Sequence, residues 1–188
     1  MIILPYKENF IRKNFIEYSF ENPDEDFIPD YNIFKKLNST DLYYLAQNYN
    51  WDDGIEVLHW IIDSPKCDKG CASLIFWTSE PDFYFGYTIA TIPDYEKETF
   101  LLLKKITDKF RNNEFKKNSL KYDPTERVKR IDWSKDYTGW HIPEELKNIT
   151  KGFTPISLSS LQGLIWEWQR KRKLAKREAK KRKRKKIT

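Results

Sequence analysis

Apolar residues recur at helical spacing in four stretches of this 188-residue chain, and this periodicity constrains its fold more than any other feature. Spacings of three and four place the apolar residues of each stretch on one face of an α-helix. The four stripes are Leu42, Leu45, Ala46 and Tyr49; Ile55, Leu58 and Ile62; Cys71, Leu74 and Ile75; and Leu102, Leu103, Ile106 and Phe110. The sequence therefore predicts four amphipathic helices.

Polar residues before the first three stripes predict where those helices begin. Ser39 or Thr40 can cap the first helix, and Asp52 or Asp53 can cap the second. Asp68 is placed to cap the third. Because the connections between these helices are short, we expect neighbouring helices to pack antiparallel.

A further helix is predicted after Pro155, with an apolar face formed by Leu158, Leu161, Leu164, Ile165 and Trp168. The Lys, Arg and Ala residues that follow favour helix, so this helix is expected to continue into the basic C-terminus. The predicted fold class is all-α, a compact bundle of short antiparallel helices with a long basic C-terminal helix. We expect an N-terminal segment packed on the core (1–38), a helical core (39–168) and a basic helical tail (169–188).

Charge is distributed very unevenly along the chain. Residues 169–188 contain 13 Lys or Arg and one Glu, whereas residues 1–168 contain 21 basic and 27 acidic residues. The expected protein is therefore a mildly acidic body that carries a strongly cationic tail.

Several classes of protein are excluded or disfavoured by simple features. The N-terminal residues lack the basic and apolar pattern of a secretory signal. The longest uncharged stretch, 152–166, is shorter than the roughly 20 apolar residues of a membrane span. With only two cysteines, a disulfide framework is not expected, and we expect a cytoplasmic protein.

No catalytic or cofactor-binding pattern stands out. The chain lacks a nucleophile elbow, a phosphate-binding glycine loop and a His-Glu-x-x-His pair. The chain has four potential zinc ligands of the usual types, Cys67, Cys71, His59 and His141, but their spacing matches no zinc module. We therefore expect no cofactor, no metal and no catalytic residue.

The run Trp51-Asp52-Asp53-Gly54, with Glu56 after it, has two interpretations. These acidic residues beside an indole are candidates for binding a protein partner or a cation. The alternative is a helix start, in which an aspartate accepts a backbone N–H and both acids suit the positive end of the helix. An enzyme that uses these carboxylates is a third, weaker hypothesis.

The run Tyr49–Gly54, followed by Pro65–Gly70, by Ala72 and by Phe76-Trp77, resembles a bacterial family, domain of unknown function 4274. Tyr122-Asp123-Pro124 and Asp132–Tyr137 are also similar to the family pattern, as is Ile142-Pro143-Glu144, so the resemblance spans about residues 40–145. It implies a small helical domain in a bacterial cytoplasm and assigns no catalytic residue. The basic tail is not part of the resemblance.

The tail is the strongest signal for a polyanion, because each phosphate that it neutralises releases counterions. Two tryptophans just before it are placed to stack on bases or to lie at an anionic surface. The polyanion-binding candidates are Trp166, Trp168, Arg170, Lys171, Arg172, Lys173, Lys176, Arg177, Lys180, Lys181, Arg182, Lys183 and Arg184. A solvated helix end with no dedicated ligand is the alternative.

These observations favour a non-enzymatic interaction protein whose acidic body docks a protein partner. An immunity-type protein that masks a toxin fits this description by analogy. The alternative is a protein that binds RNA or DNA through its basic C-terminal helix.

Overall fold

The computed structural model describes residues 2–16, 28–135, 137, 139–159, 161, 163 and 170–172. The helices are α1 (Pro5–Phe15), α2 (Tyr31–Phe34), α3 (Ser39–Asn48), α4 (Glu56–Asp63), α5 (Lys69–Thr78), α6 (Lys97–Arg111), α7 (Thr125–Val128) and α8 (Glu144–Lys147). Short 3-10 turns occupy Trp51–Asp53, Pro81–Gly86 and Asp94–Glu96. Two short strands, β1 (Ile2–Ile3) and β2 (Ile156–Ser157), pair in parallel.

The four periodic stretches form α3, α4, α5 and α6, which confirms a mostly helical fold. Their apolar stripes lie in one core, and α5 is buried along most of its length because it packs on α3 and α6. Two side chains of α1, Ile11 and Phe15, enter the same core. No helix among the described residues is both long and apolar enough to cross a membrane.

The all-α prediction needs one correction, because the chain also forms the parallel pair β1–β2. Ile2 lies opposite Ile156, and Ile3 lies opposite Ser157. A strand of two residues has no detectable periodicity, and its partner lies more than 150 residues away in the sequence. Only the tertiary structure brings these two segments together.

The predicted cap of α3 is wrong by one residue. Asn38 is the N-cap, because its side-chain oxygen accepts hydrogen bonds from the backbone N–H groups of Thr40 (2.9 Å) and Asp41 (3.0 Å). The Asp41 carboxylate in turn accepts from the Asn38 backbone N–H, which completes a capping box. The Ser39 hydroxyl donates instead to the backbone carbonyl of Lys66, at 2.7 Å.

The predicted start of α4 is also wrong. Asp52 and Asp53 belong to a 3-10 turn, and Gly54 then leaves helical geometry with φ 85° and ψ 179°. The helix begins only at Glu56, and its N-cap Ile55 provides no side-chain hydrogen bond. The acidic pair therefore does not cap α4.

Asp68, by contrast, is the N-cap of α5, and it also holds a distant loop. Its carboxylate is fully buried and accepts from the backbone N–H of Gly70 at 2.9 Å. It also accepts from the backbone N–H (2.7 Å) and hydroxyl (2.9 Å) of Ser119 and from the backbone N–H of Leu120 (3.2 Å). One side chain thus fixes the start of α5 to the segment that follows α6.

Gly70 allows the loop that contains Ser119 and Leu120 to approach the start of α5 closely. A Cβ at Gly70 would lie 2.0 Å from the carbonyl oxygen of Leu120, far inside van der Waals contact. Thr150 extends the same connection, since its hydroxyl donates to Leu120 O (2.9 Å) and accepts from the Tyr122 N–H (2.7 Å). We call Asp68, Gly70, Ser119, Leu120 and Thr150 the Asp68 hub.

Candidate protein-interaction face

Three of the exposed apolar side chains lie in the segment between α5 and α6. Phe83 is 48% exposed, Ile89 is 51% exposed and Tyr95 is 82% exposed. Residues 80–98 also contain five acidic residues and a single lysine. We define the acidic–aromatic face as the exposed residues of this segment that carry its charge and apolar area: Glu80, Asp82, Phe83, Ile89, Asp94, Tyr95 and Glu98.

A buried tyrosine joins the two halves of this face. The Tyr84 hydroxyl donates to the carboxylate of Glu96 at 2.5 Å, which ties the 3-10 turn Pro81–Gly86 to the turn that precedes α6. Burial, and then the hydrogen bond to Glu96, raise the pKa of Tyr84, so its phenol stays protonated. The exposed ring of Phe83 contacts Tyr84 edge-on, with ring centroids 5.0 Å apart.

A layer of buried rings supports the face from below. Phe85 is buried and lies against Tyr137 and Trp140, with centroid distances of 4.9 and 5.4 Å. Trp140 contacts Phe100 of α6 edge-on at 5.4 Å. Because these rings hold the segment from below, the exposed side chains are presented on a fixed base.

The four predicted partner-binding residues lie on and just after the turn before α4. Asp52 and Glu56 are exposed, and Trp51 is half-buried against the core. One carboxylate oxygen of Asp53, Oδ2, is buried and has no hydrogen-bond partner among the described residues. The Asn50 side chain accepts from the Asp52 N–H at 3.2 Å and so caps the turn.

Ion pairs link the end of α4 to α6. Asp63, at the end of α4, pairs with Lys105 (2.6 Å) and Lys109 (3.5 Å) of α6. His59, one turn earlier in α4, lies within the electrostatic influence of Lys105 and Glu98.

His59 of α4 is half-buried. Burial, and then the nearby positive charge of Lys105, lower the pKa of His59. The imidazole is therefore held neutral beside the ion pair of Asp63 and Lys105.

Most of the predicted polyanion-binding residues lie outside the described residues. These are Trp166, Trp168, Lys173, Lys176, Arg177, Lys180, Lys181, Arg182, Lys183 and Arg184. The remaining three, Arg170, Lys171 and Arg172, have helical backbone and exposed side chains.

The two cysteines are buried side chains next to the Asp68 hub. Burial, followed by a hydrogen bond to Cys67, raises the pKa of the Cys71 thiol well above its ordinary value. Within the part of the chain that the structure describes, no group of three or more His, Cys, Asp or Glu side chains is arranged to hold a metal ion.

The acidic–aromatic face was missed by sequence reasoning, which followed helical periodicity. A usable signal was nevertheless present. Phe83, Tyr84, Phe85 and Tyr87 fall within five residues, between Pro81 and Pro93, in a stretch without helical spacing. A loop with so many rings favours the exposure of some of them.

Comparisons with known proteins identify one similarity, a match of residues 37–111 to a protein family. No curated protein and no solved structure matches the chain. The family match covers α3 to α6 and the whole acidic–aromatic face, whereas Ser119, Leu120 and the Tyr122-Asp123-Pro124 run lie outside it. Residues 37–111 match the family described as "Domain of unknown function (DUF4274)", which confirms the resemblance seen in the sequence.

Proposed function

We propose that this chain is a non-enzymatic interaction protein of the cytoplasm, and that its acidic–aromatic face docks a protein partner with a basic surface. Masking of a toxin by an immunity-type protein is the kind of activity that such a face serves. The observation that carries the proposal is the exposure of Phe83, Ile89 and Tyr95 among acidic residues.

The composition of the face supports docking of a protein. Aromatic residues are enriched at the centres of protein interfaces and provide much of the binding energy. A face held by a buried aromatic layer loses less conformational entropy on binding than a flexible loop. The surrounding carboxylates favour a partner of opposite charge and accelerate its approach.

The experiment is affinity capture from the native lysate, with nuclease treatment in parallel. The bait is the full chain, and the test variant combines Phe83→Ser with Tyr95→Ser. Tyr6→Ser is the matched control, because Tyr6 is 66% exposed but lies on α1, away from the face. Thermal unfolding of each variant checks that the fold is intact.

We expect one or more basic proteins to be captured by the full chain and by Tyr6→Ser, and at least about tenfold less by the double variant, as for loss of a hot spot. Capture should survive nuclease treatment and deletion of residues 169–188. Equal capture by the double variant, or capture that requires the tail, would contradict the proposal.

The second candidate function is binding of RNA or DNA through the tail. It is favoured by the exposure of Arg170, Lys171 and Arg172 on helical backbone, at the start of a segment with 13 cationic residues. Binding to a labelled RNA or DNA should then weaken steeply with salt and disappear on truncation after Trp168. An affinity that does not change across the salt titration excludes this function.

A further inference from the structure

We propose that the basic tail of one copy docks on the acidic–aromatic face of a second copy, so that the chain associates with itself head to tail. The occupant of the face in this state is residues 173–188 of a neighbouring molecule. The proposal uses the same face as the proposed function, but its partner is the chain itself.

Charge complementarity favours this pairing. Residues 80–98 carry a net charge of −4 and residues 169–188 carry +12, although Glu80 of the face is paired with Arg127 at 3.7 Å. Both segments are present at equal concentration in every sample of the protein. A highly charged tail beside an exposed face of opposite sign gives an attraction that is strong at low salt and screened at high salt.

The rings of the face add a second attraction for Lys and Arg. The fold already uses this contact, since the Lys104 ammonium lies 3.9 Å from the centroid of Trp140 and the Lys147 ammonium lies 4.4 Å from that of Trp133. The exposed rings of Phe83 and Tyr95 offer the same chemistry to an incoming cation.

The root of the tail is fixed to β1 and to α1. β2 pairs with β1, and the Ser159 hydroxyl donates to the buried carboxylate of Glu8 at 2.5 Å. Glu8 also accepts from the hydroxyl of Tyr44 at 2.8 Å, which ties α1, α3 and the root together.

The sequence after this root lacks the residue types that favour a reverse turn. Residues 158, 159, 161, 163 and 170–172 have helical backbone, and no Gly or Pro follows Gly163. Because the sequence offers no residue type that favours a reverse turn, contact of the cationic segment with a neighbour is favoured over its return to its own body.

Such a contact joins two different surfaces and therefore leaves one free face and one free tail in every assembly that does not close into a ring. Association should be open-ended and grow with concentration. It should also compete with docking of a protein partner. At high concentration of the chain, the acidic–aromatic face would stay covered until a partner with higher affinity displaces the tail.

The test is sedimentation velocity of the purified, nuclease-treated full chain from about 1 to 100 μM, at low and at high salt. The face variant carries Asp82→Asn, Phe83→Ser and Tyr95→Ser. The tail variant carries Lys180→Gln, Lys181→Gln, Arg182→Gln and Lys183→Gln. The control variant carries Tyr6→Ser and Glu126→Gln, two exposed positions outside the face.

We expect the unchanged chain and the control to form assemblies that grow with concentration and weaken about tenfold or more at high salt. The face variant and the tail variant should each remain monomeric. An equimolar mixture of the two should form a dimer and stop there, because only one intact face and one intact tail can meet.

Monomers at every concentration would overturn the inference, as would a mixture that does not associate. A dimer that persists in the tail variant would do the same. Each of these outcomes leaves the lysate capture experiment unaffected, whereas loss of partner capture with intact self-association would overturn only the proposed function.

Discussion

Two Asp-x-Gly runs, Asp52-Asp53-Gly54 and Asp68-Lys69-Gly70, look alike in the sequence and have different structural roles. Asp68 is fully buried and accepts four hydrogen bonds, three of them from a loop about 50 residues away. Asp52 is exposed on a 3-10 turn and caps no helix. The same side chain is a tertiary anchor in one place and a surface charge in the other.

The glycines differ in the same way. Gly70 has ordinary helical geometry and is required by the close approach of Leu120. Gly54 has open space around it, and its φ of 85° with ψ of 179° lies in a region that is almost restricted to glycine. The pattern therefore identifies a helix start or turn, while the tertiary contacts decide how much stability depends on it.

The largest difference in stability should appear between a variant that lacks the Asp68 carboxylate and one that lacks the Asp52 carboxylate. Asp68→Ala leaves the buried N–H groups of Ser119 and Leu120 without an acceptor, so we expect a loss of about 4 kcal/mol in the free energy of unfolding. Asp52→Ala should change it by less than about 0.5 kcal/mol. Urea unfolding of both variants measures the difference, and equal losses would show that the two positions are equivalent after all.

The glycines should give a smaller contrast with a different cause at each site. Gly70→Ala places a methyl group against the backbone of Leu120 and should cost about 3 kcal/mol by overpacking. Gly54→Ala should cost about 1–2 kcal/mol through backbone strain alone. Gly54→Asn should be no better tolerated than Gly54→Ala, because asparagine favours left-handed helical geometry and not this region. A stable Gly70→Ala variant would show that the loop can move away from α5.

A third, smaller contrast concerns the polar groups that support each region. Thr150→Val removes the hydroxyl that bridges Leu120 and Tyr122 and should cost about 1–2 kcal/mol. Asn50→Ala removes the cap of the exposed turn and should cost about 0.5 kcal/mol. Chemical denaturation of these two variants measures whether a polar contact contributes more to the free energy of unfolding at the Asp68 hub than at the exposed turn.

The smallest effect is a dependence on alkaline pH that comes from Tyr43 and Cys71, two buried groups close to Asp68, and that the exposed turn should not show. Burial is the main cause that raises the pKa of Tyr43 above 10.0 and the pKa of Cys71 above 9.0. A group whose pKa is raised in the folded state contributes stability that is complete below its ordinary pKa and is lost as the pH rises above it. Unfolding free energy should therefore fall from about pH 9 upward. The decline should be shallower in Tyr43→Phe, and an identical decline in that variant would remove Tyr43 from the explanation.

The helices could be predicted from the sequence, but which rings of the segment 80–98 are exposed and which are buried could not. The stripe of α6 predicts a buried face because periodicity is a local property, and Leu102, Leu103 and Ile106 are indeed buried. Phe83 and Phe85 belong to the same short turn, yet Phe83 is exposed while Phe85 is buried. Nothing local distinguishes them, since Phe85 is covered by Tyr137 and Trp140, more than 50 residues later in the chain.

The sequence by itself determined the helical stretches, the cap at Asp68 and the uneven charge, because each depends on residue type and on spacing within a few positions. The tertiary structure decided the pairing of β1 with β2, the hydrogen bonds of Asp68 with Ser119 and Leu120, and which aromatic rings remain exposed to water. These depend on contacts between distant segments, whose free energy exists only after the chain has folded.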